Sequence, residues 1–180
     1  MKSYFLASLF SALILATLTL TSCRSQLEPR LSPGVTPLSL KDFLLCPFSH
    51  EPKLAVFQQE LANQHPTRML FQLSPLSQTK DTIYKFRLPK KSEILLLRTA
   101  KEIEVFMAAN IATPRYALRN NIRVGLSTDS LCYILPELPT PLSDTIQLES
   151  EKLPYQVRFF LKGGKIVRFQ VFTNTSKEKR

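Results

Sequence analysis

The chain of 180 residues has no tryptophan, four glycines, two histidines and three cysteines. With so few glycines there is no Gly-rich loop of the kind that cradles a phosphate or a dinucleotide. His50 and His65 have no Cys or Asp near them at ligand spacing, so no metal motif is readable and no cofactor is expected. A Cys46–His50 nucleophile pair would lack a third, orienting residue. Glu102 and Glu104 would share one face of a strand, where paired carboxylates can do acid–base chemistry, but a solvated strand edge accounts for them better. Acids are scarce too, 14 against 24 Lys and Arg. That balance suits acidic headgroups, lipopolysaccharide or wall polymers, or serves only to keep the domain solvated.

What is abundant is proline, at 13, and phenylalanine, at 12. Many prolines with few glycines predict short elements joined by rigid turns. The N-terminus carries a different signal. After Lys2, residues 4–20 are uncharged and apolar, long enough to span a bilayer. Their terminal position behind a basic start predicts a signal peptide. The stretch ends in Leu20-Thr21-Ser22-Cys23, which resembles the lipobox of bacterial lipoproteins: an aliphatic residue, two small residues, then cysteine.

The resemblance implies cleavage after residue 22, diacylglycerol on the Cys23 thiol, and stable anchoring by several acyl chains. Only Lys2 is lost with the leader, so the formal net charge falls from +10 to +9. Arg24, where an Asp would retain the protein on the inner membrane, implies the outer membrane, facing the periplasm. Nucleic acid is then no expected partner. Cys46 and Cys132 would meet an oxidising compartment. They either bond, closing a long loop worth about 4 kcal/mol, or stay reduced as small hydrophobes.

Residues 23–37 read as a proline-punctuated tether and 174–180 as a polar tail. A helix is expected from a Ser49 cap, with Pro52 in its first turn, to His65 before Pro66. Strands follow around Met69–Leu73, at Tyr84–Leu88 with Lys85 and Arg87 outward, and at Ile94–Leu97 buried on both faces. Residues 101–109 suit strand or helix. Past Pro114 the order restarts: a helix capped by Ser127 with Leu131 and Ile134 inward and closed by Pro136, then strands at 146–148, 155–161 and 167–171.

The last turn is a test of register. A two-residue Gly163-Gly164 turn pairs Lys162 with Lys165 and, continued, sets Phe159 opposite Arg168. A three-residue connection or one bulge near Gly163–Lys165 instead sets Leu161 opposite Val167, Phe159 opposite Phe169 and Val157 opposite Val171, one wholly apolar face. Burial selects the second.

The fold class is therefore α+β, short helices packed on antiparallel sheet, with a first unit at 38–110 and a second at 111–173. Thr36-Pro37 recurs as Thr113-Pro114, and Leu54 as Leu131, 77 residues on. Strand centres near 70, 85 and 96 recur near 146, 158 and 169. Two tandem helix-plus-three-strand units would explain the recurrence, and so would chance at this low identity.

The segment Ile122-Arg123-Val124-Gly125-Leu126-Ser127, followed by Leu131, resembles a motif of small bacterial envelope lipoproteins, the BamE (SmpA/OmlA-like) outer-membrane assembly family. The tandem beta-lactamase-inhibitor proteins are similar in shape. The resemblance covers roughly residues 120–173. It implies strands after a short helix and a non-enzymatic role. The chain departs from the pattern at Leu135-Pro136-Glu137-Leu138-Pro139, where the families carry a glycine turn. Gly125 reads as a tight, positive-φ approach to the helix or as an ordinary loop glycine.

Arg115, Arg119 and Arg123 recur every four residues. On a helical turn Arg115 and Arg119 would align and call for an anion or partner contact; otherwise they are solvated. The function expected is a non-catalytic, membrane-anchored envelope lipoprotein that binds another envelope protein or supports assembly. An inhibitor or ligand-binding module would show an exposed apolar patch on the sheet's open face. A hydrolase would need converging polar groups in a pocket.

Overall fold

The computed structural model describes residues 35–61, 65–71, 80–139 and 142–174. The expected leader, Cys23, most of the tether, Leu73 and nearly all of the polar tail lie outside the described residues. The chain divides into Met1–Arg30 and Leu31–Arg180, and every described residue belongs to the second unit. It is an α+β unit dominated by antiparallel sheet, with a few short helices.

Helix α1 (Leu40–Leu45) is not among the expected elements, although its start is written locally. The Ser39 hydroxyl accepts the Asp42 amide at 3.0 Å, and Asp42 sits in the first turn, a short-range cap followed by an apolar run. Helix α2 (Leu54–Glu60) begins later than its expected Ser49 cap and ends before His65. Its N-cap, Lys53, makes no side-chain cap. Glu104, fifty residues away, accepts the Leu54 amide at 2.9 Å instead. Helix α3 (Thr128–Ile134) follows expectation: Ser127 accepts the Ser130 amide at 3.2 Å, and Leu131 and Ile134 are buried.

The strands are β1 (Thr67–Phe71), β2 (Asp81–Leu88), β3 (Ser92–Arg98), β4 (Glu104–Ile111), β5 (Ala117–Leu118), β6 (Ile122–Arg123), β7 (Thr145–Leu148), β8 (Tyr155–Lys162) and β9 (Lys165–Thr173). Seven form one antiparallel sheet in the order β1-β2-β3-β4-β9-β8-β7, and β5 and β6 make a separate two-stranded ribbon. The ambiguous stretch at 101–109 resolves into strand β4. Its alternation is obscured by a bulge: Leu96 pairs with Phe106 and Leu95 with Ala108, leaving Met107 unpaired. Strand β3 is not buried on both faces as expected. Ile94 and Leu96 are buried, whereas Leu95 and Leu97 are only half-buried, because no helix among the described residues covers their side of the sheet.

The β8–β9 hairpin combines the two alternative registers. Gly163 and Gly164 form a two-residue turn, both at positive φ, 58° and 68°, which glycine adopts without steric cost. Lys162 pairs with Lys165 and Leu161 with Ile166; beyond a bulge, Phe160 pairs with Arg168 and Phe159 with Phe169. A bulge is present, but beyond the expected position at Gly163–Lys165: Val167 is its extra residue and is exposed, while Ile166 takes the inward place opposite Leu161.

One apolar layer lies between the helices and one face of the sheet. Phe43 of α1 stacks on Phe159 of β8 at 6.3 Å, Phe57 of α2 meets Phe86 of β2 at 6.1 Å, and Phe48 meets Phe106 of β4 at 4.8 Å. Leu131 and Ile134 of α3 join the same buried cluster. Gly125 has φ +96°; its amide donates to the Ile166 carbonyl at 2.8 Å, and Ile166 returns a bond to Leu126. That positive-φ glycine delivers the chain from β6 to α3.

Strands β4 and β9 meet at the middle of the sheet. Asn110 pairs with Gln170, Ala109 with Val171 and Ile111 with Phe169. Each strand carries a bulge against its preceding strand, at Met107 and at Val167. The pairing therefore has a local two-fold beside Asn110 and Gln170, relating β2–β4 to β7–β9. This correspondence differs by one strand from the expected recurrence of segments near 70, 85 and 96, because β1 has no partner in the second half.

Candidate functional site

Three short helices pack on one face of the seven strands, and no helix among the described residues covers the other. Its residues follow from the pairing. Outward from the two-fold run Asn110 and Gln170, then Arg158 and Gln147 on one side and Glu93 and Arg87 on the other. Arg158 donates to Gln147 at 2.8 Å, and Gln170 donates to Asn110 at 3.4 Å. Lys85 is ion-paired with Glu93.

The face differs between the two halves of the sheet. Over β7–β9 the basic and polar residues Arg158, Arg168, Gln147, Gln156 and Thr145 surround two half-buried rings, Phe160 and Phe172; the Arg168 guanidinium lies 3.9 Å from the Phe160 ring centroid, a cation–π contact. Over β1–β4 the face is apolar. Met69 and Val105 are 42% and 38% exposed, and Ile83, Leu95, Leu97 and Ala108 are half-buried between them. Single exposed apolar residues are ordinary, but a row of them across adjacent strands is not. The strand patterns carried this signal: Arg168, Gln170 and Phe172 alternate with Phe169 and Val171, as Lys85 and Arg87 do with Tyr84, Phe86 and Leu88. What they could not give is which alternate rows the pairing sets side by side.

The cysteines are not brought together. Cys46 and Cys132 are both free. The Cys46 thiol donates to the Phe48 carbonyl at 3.4 Å, and the Phe48 ring meets Tyr155 at 5.8 Å, at the start of β8. Cys132 lines a cleft with Leu161 and Lys162 at the far end of that strand. Six residues of strand separate these ends, about 20 Å, against a limit of about 7 Å between bridged Cα atoms. With α3 placed over the β8–β9 turn, the two cysteines are unbonded and far apart in this structure.

His50 does not face Cys46 as a base. Its Nε2 is 2.9 Å from Glu60 and its Nδ1 is 2.9 Å from the Glu51 carbonyl, so it ties the segment leading into α2 to the last residue of that helix. Glu102 and Glu104 both approach Arg98, Glu104 at 4.0 Å, and Glu104 also caps α2. Arg115, Arg119 and Arg123 are not aligned on a helix. Arg115 precedes the β5–β6 ribbon, Arg119 opens its tight turn, and Arg123 pairs with Ala117. Asn120 and Asn121 carry positive φ there, which ends any helical run. Arg119 reaches the Asp42 carbonyl at 3.5 Å, while Arg115 and Arg123 are exposed.

The cleft at Cys132, about 380 Å³, also receives Thr128, Asp129, Ser143 and Asp144. Burial, and then the nearby Asp129 carboxylate, push the Cys132 thiol above its ordinary pKa, away from the thiolate a nucleophile needs. No group of three metal-ligating side chains occurs among the described residues. No helix among them is long and apolar enough to cross a membrane.

In comparisons with known proteins, no family model matches the chain, and no curated protein and no solved structure matches it either.

Proposed function

We propose that this chain is a membrane-anchored, non-catalytic envelope lipoprotein that binds another protein through the open face of its sheet. The uncovered face carries the reading: an apolar half beside a basic half, joined by a polar row at the two-fold. Apolar surface supplies affinity, and flanking charge supplies orientation and partner choice. The partner would present apolar residues against Met69, Ile83, Leu97 and Val105, and acidic residues against Arg158 and Arg168. The anchor is the lipid on Cys23, and Arg24 favours the outer membrane with the domain facing the periplasm. The fold is two tandem α+β units, α2 with β2–β4 and α3 with β7–β9. The mirrored strand order and paired bulges support this, as does the likeness of residues 120–173 to the BamE-like lipoproteins.

A photo-crosslinking residue placed at Val105 in intact envelopes tests the reading against one at Tyr133, exposed on α3. A protein adduct from Val105 and none from Tyr133 is expected. Equal labelling from both, or none from Val105, refutes it. Mass spectrometry of the mature N-terminus tests the lipid. A second reading, an inhibitor of an envelope enzyme, is favoured by the same apolar patch; it predicts that the Val105 adduct is an enzyme whose activity the purified protein lowers.

A further inference from the structure

Strand β7 is the last strand of the sheet, and no described residue pairs with its outer edge. The direction of its backbone groups follows from one bond. Leu161 donates to the Asp144 carbonyl at 2.7 Å, in register with the pairing of Ile146 to Phe159 and Leu148 to Val157. In an antiparallel pair these bonded positions alternate with unbonded ones. Ile146 and Leu148 therefore spend their amides and carbonyls on β8, while those of Thr145 and Gln147 point outward. The Thr145 carbonyl is taken by the Ser143 hydroxyl. The Thr145 amide and both backbone groups of Gln147 are left along the edge.

A groove of about 480 Å³ runs beside this edge on the helix side, lined by Leu40, Lys41 and Leu44 of α1 and by Leu148, Lys152 and Leu153. Its wall is apolar, and its charged rim is uneven. Glu149 is engaged by the Gln147 amide at 2.6 Å, whereas neither Lys41 nor Lys152 makes an ion pair among the described residues.

We infer that β7 and this groove form a docking site for an extended, acidic-flanked peptide segment of a partner protein, added to the sheet as a further strand. The unpaired backbone groups require an extended main chain. A residue opposite Leu148 would share its face and point into the groove, so a large aliphatic side chain belongs there. The two lysines then select carboxylates on either side of it. This site lies on the edge and the helix side of the sheet, so it stands or falls separately from the open face.

The test uses the full chain in detergent micelles and a fluorescein-labelled peptide, acetyl-Ser-Asp-Val-Leu-Val-Asp-Ser-amide, followed by anisotropy. Saturable binding is expected. Gln147→Pro removes an outward donor without breaking a bond to β8 and should weaken binding by up to about tenfold, the scale of losing one backbone hydrogen bond. Lys41→Glu with Lys152→Glu, both exposed, should weaken it and invert its salt dependence. Unchanged melting temperatures exclude unfolding as the cause. No binding of the parent peptide, equal binding of a version N-methylated on alternate amides, or binding untouched by Gln147→Pro would overturn the inference.

Discussion

The bulge at Val167 makes a prediction that separates two deletions three residues apart. Remove Val167, and Ile166 still faces Leu161, Arg168 still faces Phe160 and Phe169 still faces Phe159, because the extra residue alone is gone. Ile166 and Phe169 stay inward and Arg168 stays outward. The change in stability should be within about 1 kcal/mol, since an exposed residue without a ladder partner is lost. Remove Gln170 instead, and the alternation breaks between Phe169 and Val171, both fully buried. One segment must turn over: either Phe169 is exposed, at about 1.5–3 kcal/mol, while Arg168 is buried without a partner, at about 1–3 kcal/mol or more, or Val171 is exposed while the larger Phe172 is forced inward, at about 1–3 kcal/mol of overpacking. A total of about 2.5–6 kcal/mol is a large part of a domain's usual 5–15 kcal/mol. Urea denaturation followed by circular dichroism measures both. The midpoint should barely move for the first deletion and fall steeply, or vanish, for the second. Equal losses from both would refute the register argument.

Further outcomes follow from the site geometry. Glu104→Ala should cost about 1–2 kcal/mol by uncapping α2, and Glu104→Gln, which keeps an acceptor, less; hydrogen exchange at the Leu54 amide reports it locally. Reducing agent should leave the melting temperature unchanged, and no Cys46–Cys132 cross-link should appear in non-reducing mass spectrometry. Alkylation of Cys132 should require a higher pH than a free cysteine does, because its thiol is held above its ordinary value. Tyr116 is stacked on Phe57 at 6.3 Å, and burial, with the Glu60 carboxylate, raises its phenol above the usual 10.0. The folded state then keeps a proton that the unfolded state loses, so this contribution is intact below pH 10 and declines as pH rises from there towards the higher folded value. Tyr116→Phe should flatten that alkaline loss in pH-dependent melts.

The elements that could be read from the sequence are those whose determinants are local. Ser127 with Leu131 and Ile134 gives α3, and alternation gives β2 and β8. The apolar face of β8 and β9 demanded a bulge, although parity alone could not say that Val167 would be the residue expelled. Where partners are distant the reading failed. The start of α2 depends on Glu104, far along the chain, so Ser49 and Pro52 misplace it. The arginine spacing left a helical turn and plain solvation both open, and Asn120 and Asn121 make a tight turn there. The open face needed the strand order, which no local pattern carries: only when β4 lies against β9 do Asn110 and Gln170 join one polar row. Helix α1 was legible from Ser39 and Asp42 and was obscured by its short length and the prolines around it.

The β4–β9 seam also governs how the protein assembles itself. Strands β2 to β4 and β7 to β9 each close through turns of a few residues, so each half can form its own meander quickly. The seam joins residues about sixty apart and waits on both halves, which makes it the slow, non-local step. Until it closes, β4 and β9 each present an unpaired edge of matched shape. In dilute solution each finds the other within its own chain. At high concentration β4 of one copy meets β9 of another in the same register, so crowded refolding favours exchanged dimers across this seam over any other pairing.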